Sequence, residues 1–329
     1  MSRERFDWLS NVAGEVISTP GSESNVKEIF DKSWELKRTR ENIAVFNQFD
    51  EFGNHLFHYE VTGKAMEEVL QKTMQKEDKY RGIVLTSGSS GTMGCGDYLK
   101  ELYPHSKLAV GEALQCPTLL MNGFGAHRIE GIGDKHVPWI HHVKNTDMVI
   151  GIDDTDTMAL LRLFNEPRGR QYLVEKGVPE SFVKDLSLLG ISGIANIIGA
   201  IKFAKYYELT KNDIILTVLT DSMELYQSRL EQMRKENKNY TEMDAAIAYQ
   251  QHLKGISTDS MEELDYIAKK RIHNLKYYTW IEQQGKDLEE LNNQWLDDEH
   301  YWQDIHQQAI QIDHLIDSFN HRTGLIKTL

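Results

Sequence analysis

The chain has 329 residues, enough for about two domains of roughly 150 residues each, and 40% of the residues are hydrophobic. This composition excludes disordered and fibrous proteins, because each domain can bury a core. The acidic residues number 50 against 37 Lys and Arg, so the formal charge of −13 disfavours nonspecific binding to nucleic acid or to an acidic membrane. The two cysteines, Cys95 and Cys116, cannot build a disulfide framework, which favours a reducing compartment.

The N-terminal residues lack the apolar stretch of a signal peptide, so the sequence predicts a cytoplasmic protein. The most hydrophobic segment is LSLLGISGIANIIGAIKFA at residues 186–204. It contains Asn196 and Lys202, which are costly at the middle of a lipid bilayer. We therefore expect a buried helix here and no membrane contact.

Helical and strand patterns alternate in the first two thirds of the chain. The spacing of apolar residues predicts helices at residues 1–13, 25–38, 62–74, 94–102 and from about 158. Strands are predicted at residues 15–18, 43–46, 82–86, 107–110, 148–152 and 214–219. Alternation of this kind is typical of a parallel sheet with helices on its faces.

The pattern changes after about Tyr226. Helices are predicted at residues 243–253 and 261–278 and within 287–319, with no further strong strand. Trp280, Trp295 and Trp302 lie in this stretch, which argues against disorder because such rings need a packing surface. We expect a helical appendage that packs on the sheet domain or on a second copy of the chain.

A glycine-rich loop is the main chemical signal. Residues 83–86 form a strand pattern that runs into SGSSGTMGCG at residues 87–96 and then into a helix pattern. Backbone N–H groups in such a loop, together with the helix dipole, can bind a phosphate. The loop has neither the lysine of a Walker P-loop nor the dinucleotide GxGxxG spacing. The alternative is a tight strand-to-helix turn that binds nothing.

Six blocks in this chain follow one another in a recognisable order. They are MSRERFDWLSNVAGEVISTPGSE at residues 1–23, FNQF at 46–49 followed by His58 and TG at 62–63, SGSSGTMGCGDYLKELYP at 87–104, AHRIEGIG at 126–133, GISG at 190–193 and LTDS at 219–222. Together they resemble the cysteine synthases and cystathionine β-synthases, the fold type II pyridoxal phosphate enzymes. The helical stretch after Tyr226 lies outside these blocks.

The resemblance implies a three-layer α/β fold with a parallel sheet, as in the β-subunit of tryptophan synthase, and a C-terminal helical appendage. It implies three regions: a remnant of the smaller N-terminal α/β domain at residues 1–49, the large cofactor-binding α/β domain at 50–226, and a helical extension at 227–329. The family commonly forms homodimers, so a homodimer is expected here.

The resemblance also implies a set of cofactor-binding and substrate-binding residues. The phosphate of pyridoxal 5'-phosphate would be held by Gly88, Ser89, Ser90, Gly91 and Thr92. Ser222 matches the serine that faces the pyridine nitrogen, and a neutral hydroxyl there suits β-elimination rather than transamination. Gln48 and Phe49 match the segment near the substrate carboxylate. Gly131 and Gly133 would let the backbone approach the cofactor closely.

Three departures from the family motifs bear on the substrate. Met223 replaces a glycine, Gly193 replaces a serine and Leu225 replaces an arginine. The identity of the amino-acid substrate, its leaving group and the incoming nucleophile therefore stay open.

The family's Schiff-base lysine lies upstream of the segment that Met1 matches, so no catalytic residue is assigned in this chain. Lys135 follows the AHRIEGIG block and is interpreted as a surface residue. Without an amine the cofactor has no tether and the α-proton has no evident base. We expect either an N-terminally truncated product, which is the favoured interpretation, or a separate polypeptide that supplies the lysine. The isolated chain would then be inactive.

Four histidines within sixteen positions suggest a metal site at first sight. They are His127, His136, His141 and His142. Their spacing is irregular and no cysteine lies among them, so no metal is predicted.

Asp153, Asp154 and Asp156 precede a predicted helix, which favours N-capping over magnesium binding. Cys95 lies beside a helix N-terminus but has glycine neighbours and no evident histidine partner. It is therefore interpreted as a small packing residue.

Three functions fit these observations. The first is β-replacement of the cysteine synthase type, in which an amino acid loses its β-substituent and a nucleophile such as sulfide adds. The second is a lyase that uses the same residues without the second step. The third is a non-catalytic phosphate-binding or interaction module.

Overall fold

A five-stranded sheet forms the centre of the protein. The computed structural model describes residues 1–21, 26–237 and 239–324. The strands lie in the order β4-β1-β2-β3-β5. Their bounds are β1 Lys79–Thr86, β2 Lys107–Ala113, β3 Met148–Ile152, β4 Asp213–Leu216 and β5 Met261–Glu263. The first four are parallel and β5 runs antiparallel to β3 at one edge.

Helices precede, connect and follow the strands. Up to β4 they are α1 Arg3–Val12, α2 Lys27–Thr39, α3 Phe52–Phe57, α4 Lys64–Thr73, α5 Met93–Leu102, α6 Thr118–Met121, α7 Asp154–Asn165, α8 Pro167–Glu175, α9 Glu180–Asp185 and α10 Ile191–Tyr206. A π-helical segment, His58–Gly63, joins α3 to α4. After β4 they are α11 Gln227–Glu236, α12 Glu242–Ile247, α13 Tyr266–Lys276, α14 Leu288–Leu296 and α15 Asp298–Thr323, with π-helical segments Ala248–Lys254 and Tyr277–Gln283.

The sheet is buried on both faces, so the fold has three layers. Successive strand residues point to opposite faces. In β1, Val84 belongs to the core that α7 and α10 cover, whereas Ile83 and Leu85 belong to the core under α5 and α13. This confirms the predicted parallel α/β sheet and explains why its strands read as nearly continuous apolar runs.

The helical appendage packs on the sheet domain of the same chain. Trp280 is fully buried and donates its indole N–H to the carbonyl oxygen of Val137 at 2.8 Å. It lies with Trp139 and Phe30 in a third apolar cluster, so α2 and the appendage share one core. The three tryptophans of the appendage are all buried.

Two of the predicted strands were wrong. Residues 15–18 and 43–46 pair with no strand among the described residues, and residues 15–18 are exposed. Their apolar side chains have strand propensity, but a strand needs a neighbour to accept its backbone hydrogen bonds.

The predicted helix at residues 261–278 was wrong in its first turn. Met261–Glu263 adds to the sheet edge as β5, and α13 begins only after Asp265, whose side chain accepts the N–H of Ala268 at 2.8 Å. The second predicted helix starts at Asn25, which lies outside the described residues, and α2 is described from Lys27.

Among the described residues, no helix taken alone has the length and apolar character needed to cross a membrane. One helix pair, Glu180–Leu188 and Ile191–Tyr206, meets that test only when the two helices are counted together, and the pair is bent by 118° at the break between them.

Candidate cofactor site

The glycine-rich loop lies at the carboxyl end of β1, an inner strand of the parallel sheet. It comprises residues 87–92, between β1 and α5. In a parallel α/β sheet this edge is where ligands bind. Ser90 adopts a left-handed backbone with φ of 65°, and its hydroxyl lies 3.0 Å from that of Ser87. The loop therefore curls back on itself before the helix begins.

The loop presents unused hydrogen-bond donors. In the part of the chain that the structure describes, the backbone N–H groups of residues 88–92 donate to no protein acceptor. By contrast, Ser87 N–H donates to the Gly111 carbonyl and Met93 N–H donates to that of Ser90, both within 3.1 Å. A run of free amides at the start of α5, whose dipole adds positive potential, is suited to an anion with several oxygens.

Asn54 braces the loop from the side. Its amide nitrogen donates to the Ser89 hydroxyl at 3.1 Å and to the Gln48 carbonyl oxygen at 2.9 Å. The segment that contains Gln48 and Phe49 is thereby tied to the loop. Phe49 is buried against Phe30, whereas Gln48 faces the cavity in front of the loop.

Gly131 and Gly133 form the opposite wall. Both have positive φ values, of 88° and 79°, which favour glycine. The N–H of Gly133 donates to the Ser87 carbonyl oxygen at 2.9 Å, so this wall is hydrogen-bonded to the glycine-rich loop. A Cβ atom on Gly133 would lie 2.3 Å from Nε2 of His127, so only glycine fits beside that ring.

These segments enclose a cavity of about 440 Å³. The polar residues and glycines that line it include Arg5, Gln48, Asn54, His58, Thr86, Gly88, Ser89, Ser90, Gly91, Thr92, Gly131, Gly133, Ser192, Asn196, Thr220 and Asp221. All of the residues predicted from the resemblance except Ser222 are in this lining. The structure thus brings together segments from six separate parts of the sequence.

Ser222 lies next to the cavity wall. Its neighbours Thr220 and Asp221 line the cavity, while the Ser222 hydroxyl caps a 3₁₀ turn by accepting the N–H of Glu224 at 3.4 Å. The carboxylate of Asp221 pairs with Arg5 and accepts the hydroxyl of Tyr226 at 2.7 Å. Helix α1 is therefore fixed to this wall.

Asn196 is a site residue that the sequence reasoning did not identify. It lies on α10, is buried, and forms part of the cavity floor. Its side-chain oxygen accepts the N–H of Thr86 and its nitrogen donates to the Val218 carbonyl, each at 2.7 Å. The sequence did contain a signal for it: Asn196 is a lone amide in an apolar helix. A buried polar group needs hydrogen-bond partners, so such a residue is expected to bond to neighbouring segments.

None of the described lysines lines the cavity. Lys135 follows the Gly131–Gly133 wall in sequence, is partly exposed, and is absent from the lining. The described cavity therefore has free backbone amides in its lining but no lysine amine.

The other sequence clusters have structural partners. His141 bonds to Thr146, and His136 bonds to Asp134. Asp153 is the N-cap of α7 and accepts the N–H of Thr155 at 2.8 Å, as predicted.

Cys95 is fully buried, and burial raises the pKa of its thiol to about 12. It is a packing residue, as predicted.

Comparison with known proteins gives the same answer as the motifs. No family model matches the chain. Cysteine synthase from Staphylococcus aureus is 32% identical over 232 residues, which cover 69% of this chain and 66% of that protein. Cystathionine beta-synthase from Dictyostelium discoideum is 28% identical over 240 residues, which cover 70% of this chain and 42% of that protein. A solved structure of a hydrogen sulfide-producing enzyme from Fusobacterium nucleatum matches with a TM-score of 0.56 and 27% identity, over 69% of this chain and 68% of that one.

A parallel α/β sheet with a run of free backbone amides at its carboxyl edge is typical of α/β proteins that bind a ligand there. The chain belongs to the cysteine synthase and cystathionine β-synthase family of fold type II pyridoxal phosphate enzymes. It spans 66% of the length of the cysteine synthase from S. aureus.

Proposed function

We propose that this chain binds pyridoxal 5'-phosphate and takes part in β-replacement or β-elimination on an amino acid. The observation that carries the proposal is the run of free amides at residues 88–92, which opens into the cavity between Gln48 and the Gly131–Gly133 wall. A phosphate ester fits such a set of donors.

The chain's own residues divide the work of binding. The amides and hydroxyls of residues 88–92 bind the phosphate, and Gln48 orients the substrate carboxylate with Phe49 packed behind it. The hydroxyl of Ser222, which lies beside the cavity-lining residue Thr220, would face the pyridine nitrogen of the cofactor. Bound pyridoxal phosphate supplies an electron sink at the amino acid's α-carbon.

The amine that tethers the cofactor is proposed to come from outside the described residues, because none of the described lysines lines the cavity. Residues 50–226 would form the large cofactor domain, residues 1–49 part of the smaller domain, and residues 227–329 the helical extension. We propose an amino acid with a β-leaving group as substrate and a homodimer as the assembly.

A lyase is the second candidate. The enzyme from F. nucleatum, at 27% identity, produces hydrogen sulfide, which is compatible with a substrate whose β-leaving group is sulfide. The departures at Gly193, Met223 and Leu225 are compatible with a different substrate. The products separate the two: a synthase forms a new β-substituted amino acid from sulfide, and a lyase releases pyruvate and ammonia.

A non-catalytic module is the third candidate, and the absence of lysine from the described lining favours it. It predicts that phosphate compounds bind but that no amino acid is turned over. Sequencing the genomic region that flanks the gene, and testing for a co-purifying polypeptide with a lysine after a strand, would decide whether an amine source exists. If neither provides one, the enzymatic proposal fails.

Cofactor binding can be tested by adding one negative charge to the glycine-rich loop. Gly88→Asp places a carboxylate in the loop, where a Cβ has ordinary contact distances, and should weaken pyridoxal phosphate binding at least tenfold by repulsion. Gly14→Asp, at an exposed glycine with open space around its Cβ, is the matched control and should bind normally. Calorimetry with pyridoxal phosphate measures both. Equal affinities in the two variants would contradict the proposed site.

A further inference from the structure

A second polar site lies between the sheet domain and the C-terminal helix, away from the cofactor cavity. Its centre is formed by His55 on α3, Asp97 on α5 and His306 on α15. One potential ligand atom from each lies within 4.8 Å of the others. We propose that these three side chains bind a zinc ion, or a similar divalent transition-metal ion, that fastens α15 to the sheet domain.

The distances suit a metal. Nε2 of His55 lies 3.0 Å from Nε2 of His306 and 3.7 Å from Oδ2 of Asp97. Tetrahedral bonds of about 2.05 Å place neighbouring ligand atoms about 3.3 Å apart, between these two values. The two imidazole rings are parallel, with an interplanar angle of 3°, and the Nε2 atom of one faces the Nε2 atom of the other.

The surroundings orient the ligands as they do in metal sites. A ligating histidine usually gives its other ring nitrogen to a carboxylate. Nδ1 of His306 lies 3.6 Å from Oε1 of Glu101, and Tyr59 donates its hydroxyl to both Glu101 oxygens at 2.8 Å. The Tyr59 ring stacks on His306 at 3.8 Å, so the imidazole is held in place before any ion binds.

Asp97 is equally constrained. Its Oδ1 accepts the side-chain amide of Asn145 at 2.5 Å, and its Oδ2 lies 3.1 Å from Nδ1 of His142. The other nitrogen of His142 reaches Asp298, at the start of α15, at 2.9 Å. The carboxylate is thus both fully buried and fixed in orientation.

The charge balance favours a cation. A cavity of about 610 Å³ opens beside Asp97 and His306 and leaves room for a water ligand. Its lining contains five carboxylates, from Glu60, Asp97, Glu101, Asp298 and Glu299, against one lysine, Lys100. The ammonium of Lys100 is itself paired with Asp147 at 2.7 Å.

Mixed imidazole and carboxylate ligands select zinc and related ions over magnesium, which prefers oxygen ligands. The three ligands come from helices that are far apart in sequence, so the ion would act as a cross-link. Nδ1 of His55 is buried without a hydrogen-bond partner among the described residues, so Nε2 is the nitrogen through which this ring interacts.

The test is zinc binding by the purified chain. After dialysis against ZnCl₂ and removal of free metal, the unchanged protein should retain one zinc per chain, measured by mass spectrometry of the metal. His306→Gln should weaken zinc binding at least about 100-fold, and Glu101→Gln, which keeps all three ligands, about 10- to 100-fold. His314→Gln, at an exposed histidine two turns further along α15, should bind zinc like the unchanged protein.

Two further readouts keep the proposal falsifiable if a variant fails to fold. Zinc, but not magnesium, should raise the melting temperature of the unchanged protein and slow chymotryptic cleavage within α15, which contains Tyr301, Trp302 and Phe319. Co²⁺ should give the visible bands of a histidine-ligated ion. Retention of zinc by His306→Gln at the level of His314→Gln would overturn the proposal. So would an unchanged protein that holds no zinc and shows no cobalt spectrum.

Discussion

Asn196 links the end of β1 to the segment that follows β4, because its side chain bonds both Thr86 N–H and the Val218 carbonyl oxygen at 2.7 Å. Thr86 is the last residue before the glycine-rich loop, and Val218 leads to Thr220 and Asp221. One buried side-chain amide therefore sets the distance between the glycine-rich loop and the Thr220–Asp221 segment, which both line the cavity.

Replacement of this amide should affect both stability and cofactor binding. Asn196→Ala leaves a buried N–H and a buried carbonyl without partners, at about 1–3 kcal/mol for each group. We expect a loss of about 3 kcal/mol in the free energy of unfolding and weaker binding of pyridoxal phosphate, measured by denaturant titration and calorimetry. Asn292→Ala, at an exposed helical position on α14, should change neither quantity by more than about 0.5 kcal/mol. Equal effects at the two positions would contradict this assignment.

A second prediction concerns how closely α5 approaches α3. A Cβ atom on Gly94 would lie 2.4 Å from the carbonyl oxygen of His55, a backbone atom that cannot move aside alone. Gly94→Ala should force the helices apart and reduce stability by about 1–3 kcal/mol.

Gly53→Ala is the matched control for this close approach, because it also lies near the start of a helix but faces open space. There the gain in helix propensity should stabilise the protein by up to about 1 kcal/mol. Thermal unfolding of both variants gives the comparison, and a stabilising Gly94→Ala would show that the helices are not in contact as described.

The sequence was sufficient to locate the glycine-rich loop between a strand and a helix, because the strand, the run of small residues and the helix follow one another within residues 79–102. It could not locate Asn196, which lies 110 positions from Thr86 and is one polar residue in an apolar helix. The same limit explains the wrong strands at residues 15–18 and 43–46, since strand propensity is local and strand pairing is not. The cluster of His55 and His306 was missed because 251 positions separate the two.

The packing of the helical appendage on the sheet domain predicts that replacement of Lys276 strongly reduces the stability of the protein. Its ammonium is fully buried and donates to the carbonyl oxygens of Trp139 and His141 at 2.8 Å and to Gln294 at 2.7 Å. Burial lowers the pKa of Lys276, because the charged form loses its hydration, while the three acceptors offset part of that cost.

Lys276→Met would leave two buried acceptors unpaired, the Trp139 carbonyl oxygen and Gln294 Oε1, because the His141 carbonyl oxygen keeps the N–H of Val143 at 2.9 Å. We expect a loss of about 3 kcal/mol and early tryptic cleavage within the appendage. Lys211→Met, at an exposed position, should have no comparable effect. An appendage that stays protease-resistant in Lys276→Met would refute the view that this lysine holds it in place.

The final prediction is a pH dependence at His273. This imidazole is buried between α13 and α14, its Nε2 lies 3.1 Å from the Leu291 carbonyl oxygen, and its ring lies 5.2 Å from that of Trp295. Burial, together with the nearby ammonium groups of Lys276, Lys270 and Lys144, lowers the pKa of His273 to about 3, although the hydrogen bond to Leu291 acts in the opposite direction.

Because an unfolded histidine has a pKa of about 6.5, the unfolded chain binds a proton between about pH 6.5 and pH 3 that the folded chain does not. This contribution to stability is complete above pH 6.5 and is lost progressively as the pH falls below it. His273→Gln keeps a donor for the Leu291 carbonyl but cannot titrate. The free energy of unfolding of this variant should therefore depend less on pH between 6.5 and 4, by up to one proton, than that of the unchanged protein or of His105→Gln, an exposed control. Identical pH profiles for all three proteins would show that His273 is not buried in the neutral form.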